Sequence, residues 1–392
     1  MEIDFDKQIN RYNSNSVKYD LWKENNKPEG IIPLWVADMD FSMADCVKDA
    51  LTNILERGIL GYTVPGEGYY TAVQNWYRNR FGWNTKKEWI LTMPGVVTAI
   101  AFCIRCYTKE GDSILIQQPV YHLFRNMIET NNRKVVDNTL IKIDGQYKMN
   151  LEDFEEKVVK EQVKMYILCS PQNPVGRVWT KEELKAVGEI CLRHNVLVVS
   201  DEIHGDFVYP GHRHHVFADV LPELIERTII CTAPSKSFNL AGMQTSNIFI
   251  PNTQLRERMK LELDRTHIGG VGIMGYAACE AAYTQGEDWL NQILIYIRGN
   301  YQYIREYLKK NIPEVTIGDL EGTYLGWMDF SKLGLTEEEL DELCVEKSKI
   351  WFDEGRMFGK AGEGYERINL ACPRSVLQQA MKQLKEALYG TV

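Results

Sequence analysis

The sequence predicts an α/β protein, with a parallel or mixed sheet covered by helices on both faces and a second, smaller α+β domain. Three observations predict it. Short apolar runs alternate with helix-period segments through the middle of the chain. Those runs are apolar on both faces, as strands sandwiched between helices have to be. The two ends of the chain lack this alternation and mix strands and helices.

Strands are predicted, in order, at residues 113–117, 164–169, 196–200, 228–232 and 247–250. A helix is predicted at 181–194. Thr180 precedes it, and Glu182 and Glu183 fall in its first turn, where they favour a helix start. Gly286 precedes a long helical pattern at 288–311. Strand-like segments follow at 315–317, 325–330 and 367–370, with helices at 336–354 and 376–388. A chain of 392 residues is long enough for two or three domains at about 150 residues each. The large domain is placed at 49–286. The small one is built from both chain ends, 1–48 and 287–392.

Composition excludes several classes. The hydrophobic fraction of 44% and charged fraction of 25% are those of a globular chain with a large core. A net charge of -9 and the lack of any Lys/Arg block argue against nucleic-acid binding. The longest apolar run, Val96 to Ile104, is broken by Thr98 and stopped by Arg105, too short for a membrane span. The opening MEIDFDKQIN has no apolar targeting core, so a cytoplasmic location is expected. Nine cysteines, an odd number, fit a reducing compartment. Cys103 and Cys106 form a CxxC within an apolar stretch and read as buried helix positions. No metal is expected. His212, His214 and His215 read as a solvated or subunit-facing loop.

Three predicted strands end in polar words: CSPQNP, VSDEIH and CTAPSKSF. Ligands of such sheets bind at the carboxyl ends of strands. Lys236 is either a solvated loop lysine or a buried reactive amine. Hydroxyls at Thr232, Ser235 and Ser237 could bind an anion beside it, a mixture that suits a phosphate and a Schiff-base lysine. Asp201, at the end of an apolar strand, either caps the next element or pairs with a cation such as a pyridinium nitrogen. Asn173, between two prolines, is either a plain turn or an amide donor aimed at a ligand. Gly95 opens an apolar helix whose N-terminus could hold an anion.

The ordered set PGVV, QPVYHLF, SPQNPVG, VVSDEIH and TAPSKSFNLAG resembles fold-type I pyridoxal-phosphate enzymes of the class I/II aminotransferase group. IPLWVADMDF, GYTVPGEGYY and RINLACPR narrow the resemblance to the cystathionine β-lyase, or C-S lyase, branch. It extends from Phe5 to about Leu388 and implies a mainly parallel seven-stranded sheet between helices in the large domain. It implies a β-elimination from cysteine S-conjugates such as L-cystathionine, giving a thiol, pyruvate and ammonia. An aminotransferase acting on an L-amino acid is the alternative.

The resemblance also assigns roles. Lys236 would bind the cofactor aldehyde and serve as base at the substrate Cα. Asp201 would pair with the ring nitrogen, and Asn173 would donate to the ring oxygen O3′ and lie near the substrate. Tyr121 would stack on the ring, with a possible second role at the departing sulfur. Backbone N–H groups of Gly95, Val96 and Val97, with Ser235, would hold the phosphate. Tyr62 would reach it from a neighbouring subunit, so a homodimer is implied. Arg367 would grip the substrate carboxylate in a bidentate pair. Trp35, Ala37 and Asp38 would lie near the substrate. His204 stands where many relatives have a tyrosine, and could touch O3′ or order its loop. Two positions depart from the aminotransferase pattern: Gln244 replaces a phosphate-gripping arginine and Ala233 a serine. Phosphate binding would then lean on backbone donors, Ser235 and Tyr62. Tyr69-Tyr70 and Trp76-Tyr77 read as helix and dimer packing, and Asp6 and Glu67 as structural or rim charges.

Overall fold

A computed structural model describes residues 3–390. Seven strands form the main sheet: β1 (Ile90–Met93), β2 (Ser113–Ile116), β3 (Lys134–Asp137), β4 (Met165–Cys169), β5 (Leu197–Asp201), β6 (Thr228–Thr232) and β7 (Ser246–Phe249). Their spatial order is β1-β7-β6-β5-β4-β2-β3. All run parallel except β7, which is antiparallel to both of its neighbours. The five predicted strands are present within a residue or so. β1 and β3 were not predicted. β1 carries a threonine within four residues, and β3 is an edge strand with two valines between charged ends.

The two faces of the sheet bury different side chains, as a two-residue period requires. On β4, Met165, Ile167 and Cys169 join one core cluster, with helices Val96–Tyr107 and Leu123–Thr130. Tyr166 and Leu168 point the other way, against Phe154, Leu184 and Val187 of helices Leu151–Lys160 and Lys181–Arg193. The second of these helices starts at a complete capping box. The Thr180 hydroxyl accepts from Glu183 N, and the Glu183 carboxylate accepts from Thr180 N. Cys103 and Cys106 are buried and free in helix Val96–Tyr107, and the cysteines are all unbridged.

A second sheet lies near the carboxyl end of the chain. Its strands are β8 (Thr316–Ile317), β9 (Leu325–Asp329), β10 (Asp353–Glu354) and β11 (Tyr365–Asn369), ordered β8-β9-β11-β10 and antiparallel. Helices Glu287–Asn311 and Arg374–Tyr389 flank it. The expected boundary near residue 286 coincides with the start of the first of these, whereas the one near 48 falls inside helix Asp45–Arg57.

The helix predicted over 336–354 is cut short. An α-turn at Glu337–Asp341 passes into a π-turn at Glu342–Lys347. The chain then leaves the helix at Lys349, whose φ is +51°. Ile350, Trp351 and Phe352 are three adjacent residues buried together, which an extended segment between two layers satisfies and a surface helix does not. Ile350–Trp351 pairs in parallel with Ile32–Pro33. No helix among the described residues is long and apolar enough to cross a membrane.

Candidate active site

The carboxyl ends of β1, β2, β4, β5 and β6 converge on a cavity of about 520 Å³. Lys236, Asp201, Asn173, Tyr121, Arg367, His204, Ser235, Gly95, Val96, Val97, Trp35 and Ala37 all line it. Twelve sequence-predicted residues thus meet in one place, although they come from segments scattered along the whole chain.

Lys236 lies in the short helix Pro234–Ser237 directly after β6. Its Nζ donates to the Ala37 carbonyl at 2.7 Å. Burial, aided by Arg367, pulls the amine down to about 8, against the opposing pull of Asp38 and Asp201. Asp201 ends β5 and is 7% exposed. Its Oδ1 accepts from Ile203 N at 3.1 Å. Burial raises the carboxyl to about 7, since this hydrogen bond and the nearby lysine only partly offset the lost hydration. A cation placed against Asp201 would restore the ionised form, and a protonated ring nitrogen is such a cation.

Arg367 is buried and fully engaged on one side. Nη1 donates to Asn173 Oδ1 at 3.0 Å and Nη2 to Trp35 O at 2.9 Å, and Asp353 forms a very short ion pair with Nη2. Its Nε is buried without a partner. The Asn173 oxygen is occupied by Arg367, so its amide nitrogen is the group left to donate. Tyr121 packs edge-on against Phe124, 5.8 Å between centroids, and burial pushes its hydroxyl up to about 12. His204 is buried with Nδ1 unpartnered, and burial holds the imidazole neutral, well below its usual range.

The anion end of the cavity is the start of helix Val96–Tyr107. Gly95 caps it with φ +113°, a conformation that L side chains rarely adopt. No side chain caps this end; Gly95 N donates to Met93 O at 2.8 Å, contrary to its expected role, and the N–H groups of Val96 and Val97 are the ones that face the cavity free of helical acceptors. Of the three hydroxyls expected to serve an anion, Ser235 alone lines the cavity. Thr232 donates to Asn247 O at 2.9 Å, and Ser237 donates to Asp206. Gln244 lines the cavity, and Ala233 is buried outside its lining.

Asp38 stands behind the cavity wall, and the expectation for His214 changes. Asp38 does not line the cavity. Its carboxylate is taken by Arg11 at 2.6 Å and lies 3.6 Å from Lys18, because two cations of the N-terminal segment fold under it. His214 is not solvated: it is 4% exposed, and its Nε2 meets Glu202 Oε2 at 2.8 Å, a buried carboxylate directly after β5. His212 and His215 lie nearer the surface. Tyr62 is fully exposed and lies outside the lining of this chain's own cavity. Tyr69 and Trp76 are buried against Tyr276 and Tyr283 of the same chain. Asp6 accepts from the Tyr296 hydroxyl, and Glu67 is an exposed charge paired with Lys87.

Sequence reasoning missed Asp353, His122, Met357 and Tyr324. Asp353 was hidden inside a predicted helix. His122 adjoins Tyr121 with Nδ1 buried and unpartnered, and burial lowers its basicity. Tyr324 donates to Ala37 O at 2.7 Å, beside Lys236.

The site fits pyridoxal phosphate. A buried carboxylate awaits a cation, an amide donor is held by Arg367, an amine stands within the cavity and free N–H groups wait at the far end. Comparison with known proteins agrees. Cystathionine beta-lyase PatB of Bacillus subtilis is 39% identical over 386 residues, covering 98% of this chain and all of the relative. The crystal structure of cystalysin from Treponema denticola, which contains pyridoxal 5'-phosphate, superposes with a TM-score of 0.96 at 39% identity, covering 99% of both chains. A PLP-bound protein of Clostridium difficile 630, provisionally described as an aminotransferase, superposes with a TM-score of 0.97 at 42% identity, covering 99% of this chain and 100% of that one. The family model for aminotransferase class I and II matches residues 29–384, and the chain belongs to that family.

Proposed function

We propose that this protein is a pyridoxal-phosphate-dependent carbon–sulfur lyase of the cystathionine β-lyase type. The observation that carries the reading is the meeting of Lys236, Asp201, Asn173, Tyr121 and Arg367 around one cavity with a free helix N-terminus. The relatives' names supply the reaction type: PatB and a Corynebacterium glutamicum protein are both called cystathionine beta-lyase. The substrate is an L-cysteine S-conjugate, with L-cystathionine as the reference compound.

When bound, pyridoxal phosphate supplies the electron sink that makes the Cα–H bond acidic. The remaining work belongs to this chain. Arg367 binds the substrate α-carboxylate through the guanidinium edge not held by Trp35 and Asp353. Asp201 keeps the ring nitrogen protonated. The N–H groups of Val96 and Val97, with Ser235, would hold the phosphate. Lys236, already depressed to about 8, is a competent base near neutrality and takes the Cα proton on Nζ. The Cβ–S bond then breaks with its electron pair on sulfur, and the thiolate takes up a proton. Tyr121, which lines the cavity and is held protonated by its raised pKa, would donate it. Hydrolysis of the remaining three-carbon fragment gives pyruvate and ammonia.

The same reading divides the chain into a cofactor-holding domain, 49–286, and a domain made of 1–48 and 287–392. The substrate is gripped between Lys236 of the first and Arg367 of the second. It also implies a homodimer. Ile59, Leu60, Tyr62 and Val64 form an exposed apolar run that a second copy would cover, carrying Tyr62 to the partner's phosphate. Free cysteines, all but Cys46 buried, accord with a cytoplasmic setting.

The test is pyruvate release from L-cystathionine with pyridoxal phosphate present and no 2-oxo acid. Steady release is expected. Turnover only after a 2-oxo acid is added would favour an aminotransferase, the description given to the Clostridium difficile neighbour.

A further inference from the structure

The segment Trp35–Met39 passes behind the reactive lysine with its carbonyl oxygens all occupied. Trp35 O accepts from Arg367 at 2.9 Å, and Val36 O and Asp38 O accept from Asn369 Nδ2 at 2.7 and 2.6 Å. Ala37 O accepts from both Lys236 Nζ and Tyr324 Oη at 2.7 Å. Met39 O accepts from Asn239 at 2.9 Å and from Arg11 at 3.3 Å. This strap therefore touches both the lysine and the carboxylate-gripping arginine through backbone alone.

Asp38 of the strap and Asp40 just beyond it are held from the opposite side by two cations. Arg11 meets Asp38 and Asp40 at 2.6 Å each, and Lys18 meets Asp40 at 2.8 Å and Asp38 at 3.6 Å. The Lys18 side chain is wholly buried, and Asp40 is 4% exposed. Both cations come from the N-terminal segment, and neither lines the cavity. Two cations and two carboxylates sum to zero, so the cluster is neutral only while complete. A buried ammonium has no hydration to fall back on, so Lys18 depends on these carboxylates.

We propose that Arg11 and Lys18 are positioning residues for Lys236: by clamping Asp38 and Asp40 they fix the Ala37 carbonyl and balance the charge that the lysine nitrogen feels. The proposal rests on the reading above only in taking Lys236 as the cofactor lysine. Asp38, Asp201 and Arg367 are the charged groups that act on Lys236. Tyr19 and Cys372 adjoin Asp40 in the cluster, and burial keeps both protonated.

The two halves of the cluster act with opposite sign. Lys18→Met leaves a net negative charge behind Ala37, which favours the protonated nitrogen. Asp38→Asn leaves a net positive charge, which disfavours it. Both substitutions loosen the same strap, so a merely structural role would move them together. The readout is the pH titration of the holoenzyme's visible absorption, which follows the proton on the Lys236 nitrogen and needs no turnover. Relative to wild type, the midpoint is expected to rise by about half a unit or more in Lys18→Met and to fall by a similar amount in Asp38→Asn. Lys18→Arg should restore it. If Lys18→Met does not yield holoenzyme, Arg11→Gln makes the same charge change at a position 22% exposed. Midpoints that stay put, or that move in one direction for both variants, overturn the proposal. Absence of pyruvate release from the wild-type holoenzyme, together with opposite midpoint shifts in the variants, would refute the lyase reading and leave the clamp standing.

Discussion

Asp201 and Lys236 illustrate how burial prepares a site at the cost of the protein that carries it. Asp201 has its pKa raised from 3.8 to about 7, so the folded chain without cofactor binds a proton more tightly than the unfolded chain between those values. Its stability therefore falls as pH rises through that window. About three units correspond to roughly 4 kcal/mol above pH 7, an upper figure. Asp201→Asn should make the cofactor-free protein more stable at pH 8 and little changed at pH 4, measured by urea unfolding. The same variant should lose most of its lyase activity. Lys236 runs the other way. Its pKa falls from 10.5 to about 8, so its contribution to stability rises with pH between these values as the unfolded chain gives up its extra proton. Lys236→Ala should keep the fold by circular dichroism and release no pyruvate. Arg367→Ala should raise KM by at least about tenfold, the loss of a charged hydrogen-bonded pair. An unchanged KM would remove Arg367 from carboxylate binding.

At the level of elements, the helix starting at Val96 carries the anion site because Gly95 permits a turn that other residues resist. Space is not the constraint there, since an added Cβ would meet nothing within 4 Å. Gly95→Ala should thus cost about 1–2 kcal/mol through backbone strain alone and weaken cofactor retention, read as a higher pyridoxal-phosphate requirement. Elements differed in how far the sequence revealed them. β4, β5 and β6 are continuous apolar runs ending in polar words, so both strand and site were readable. The capping box at Thr180 was readable because its acidic partner sits in the adjacent turn. The stretch after Lys347 was not, because its acidic and apolar spacing suits a helix and only packing against Ile32–Pro33 pulls it straight. Asp353 was lost with it. Asp38 was placed near the substrate by motif, but its partners Arg11 and Lys18 lie in a segment with no periodic signal.

For the molecule as a whole, one chain supplies most of the cavity and the proposed dimer supplies Tyr62. This makes a mixing experiment decisive. Lys236→Ala and Tyr62→Ala homodimers should each be impaired. Re-formed heterodimers would hold one site with both defects and one with neither. An equal mixture should regain up to about a quarter of wild-type activity, with half of its dimers mixed and half of their sites intact. No regain, with heterodimers shown to form, would place Tyr62 outside the neighbour's site. The family was legible across the whole chain because its motifs sit at strand ends, where spacing along the sequence survives insertion elsewhere. The way the two sheets close on each other was not legible, since it depends on contacts between residues far apart in sequence.

The strap and Arg367 show this most sharply, with 332 positions between Trp35 and the arginine that its carbonyl holds. During synthesis at about 5–20 residues per second, the strap waits on the order of 20–60 s for its partner to be made. Lys236 and the other residues assigned to the cofactor all precede Arg367, so the cofactor-holding half is complete before the arginine that grips the substrate exists. On this order the substrate grip is the last part of the site to be made.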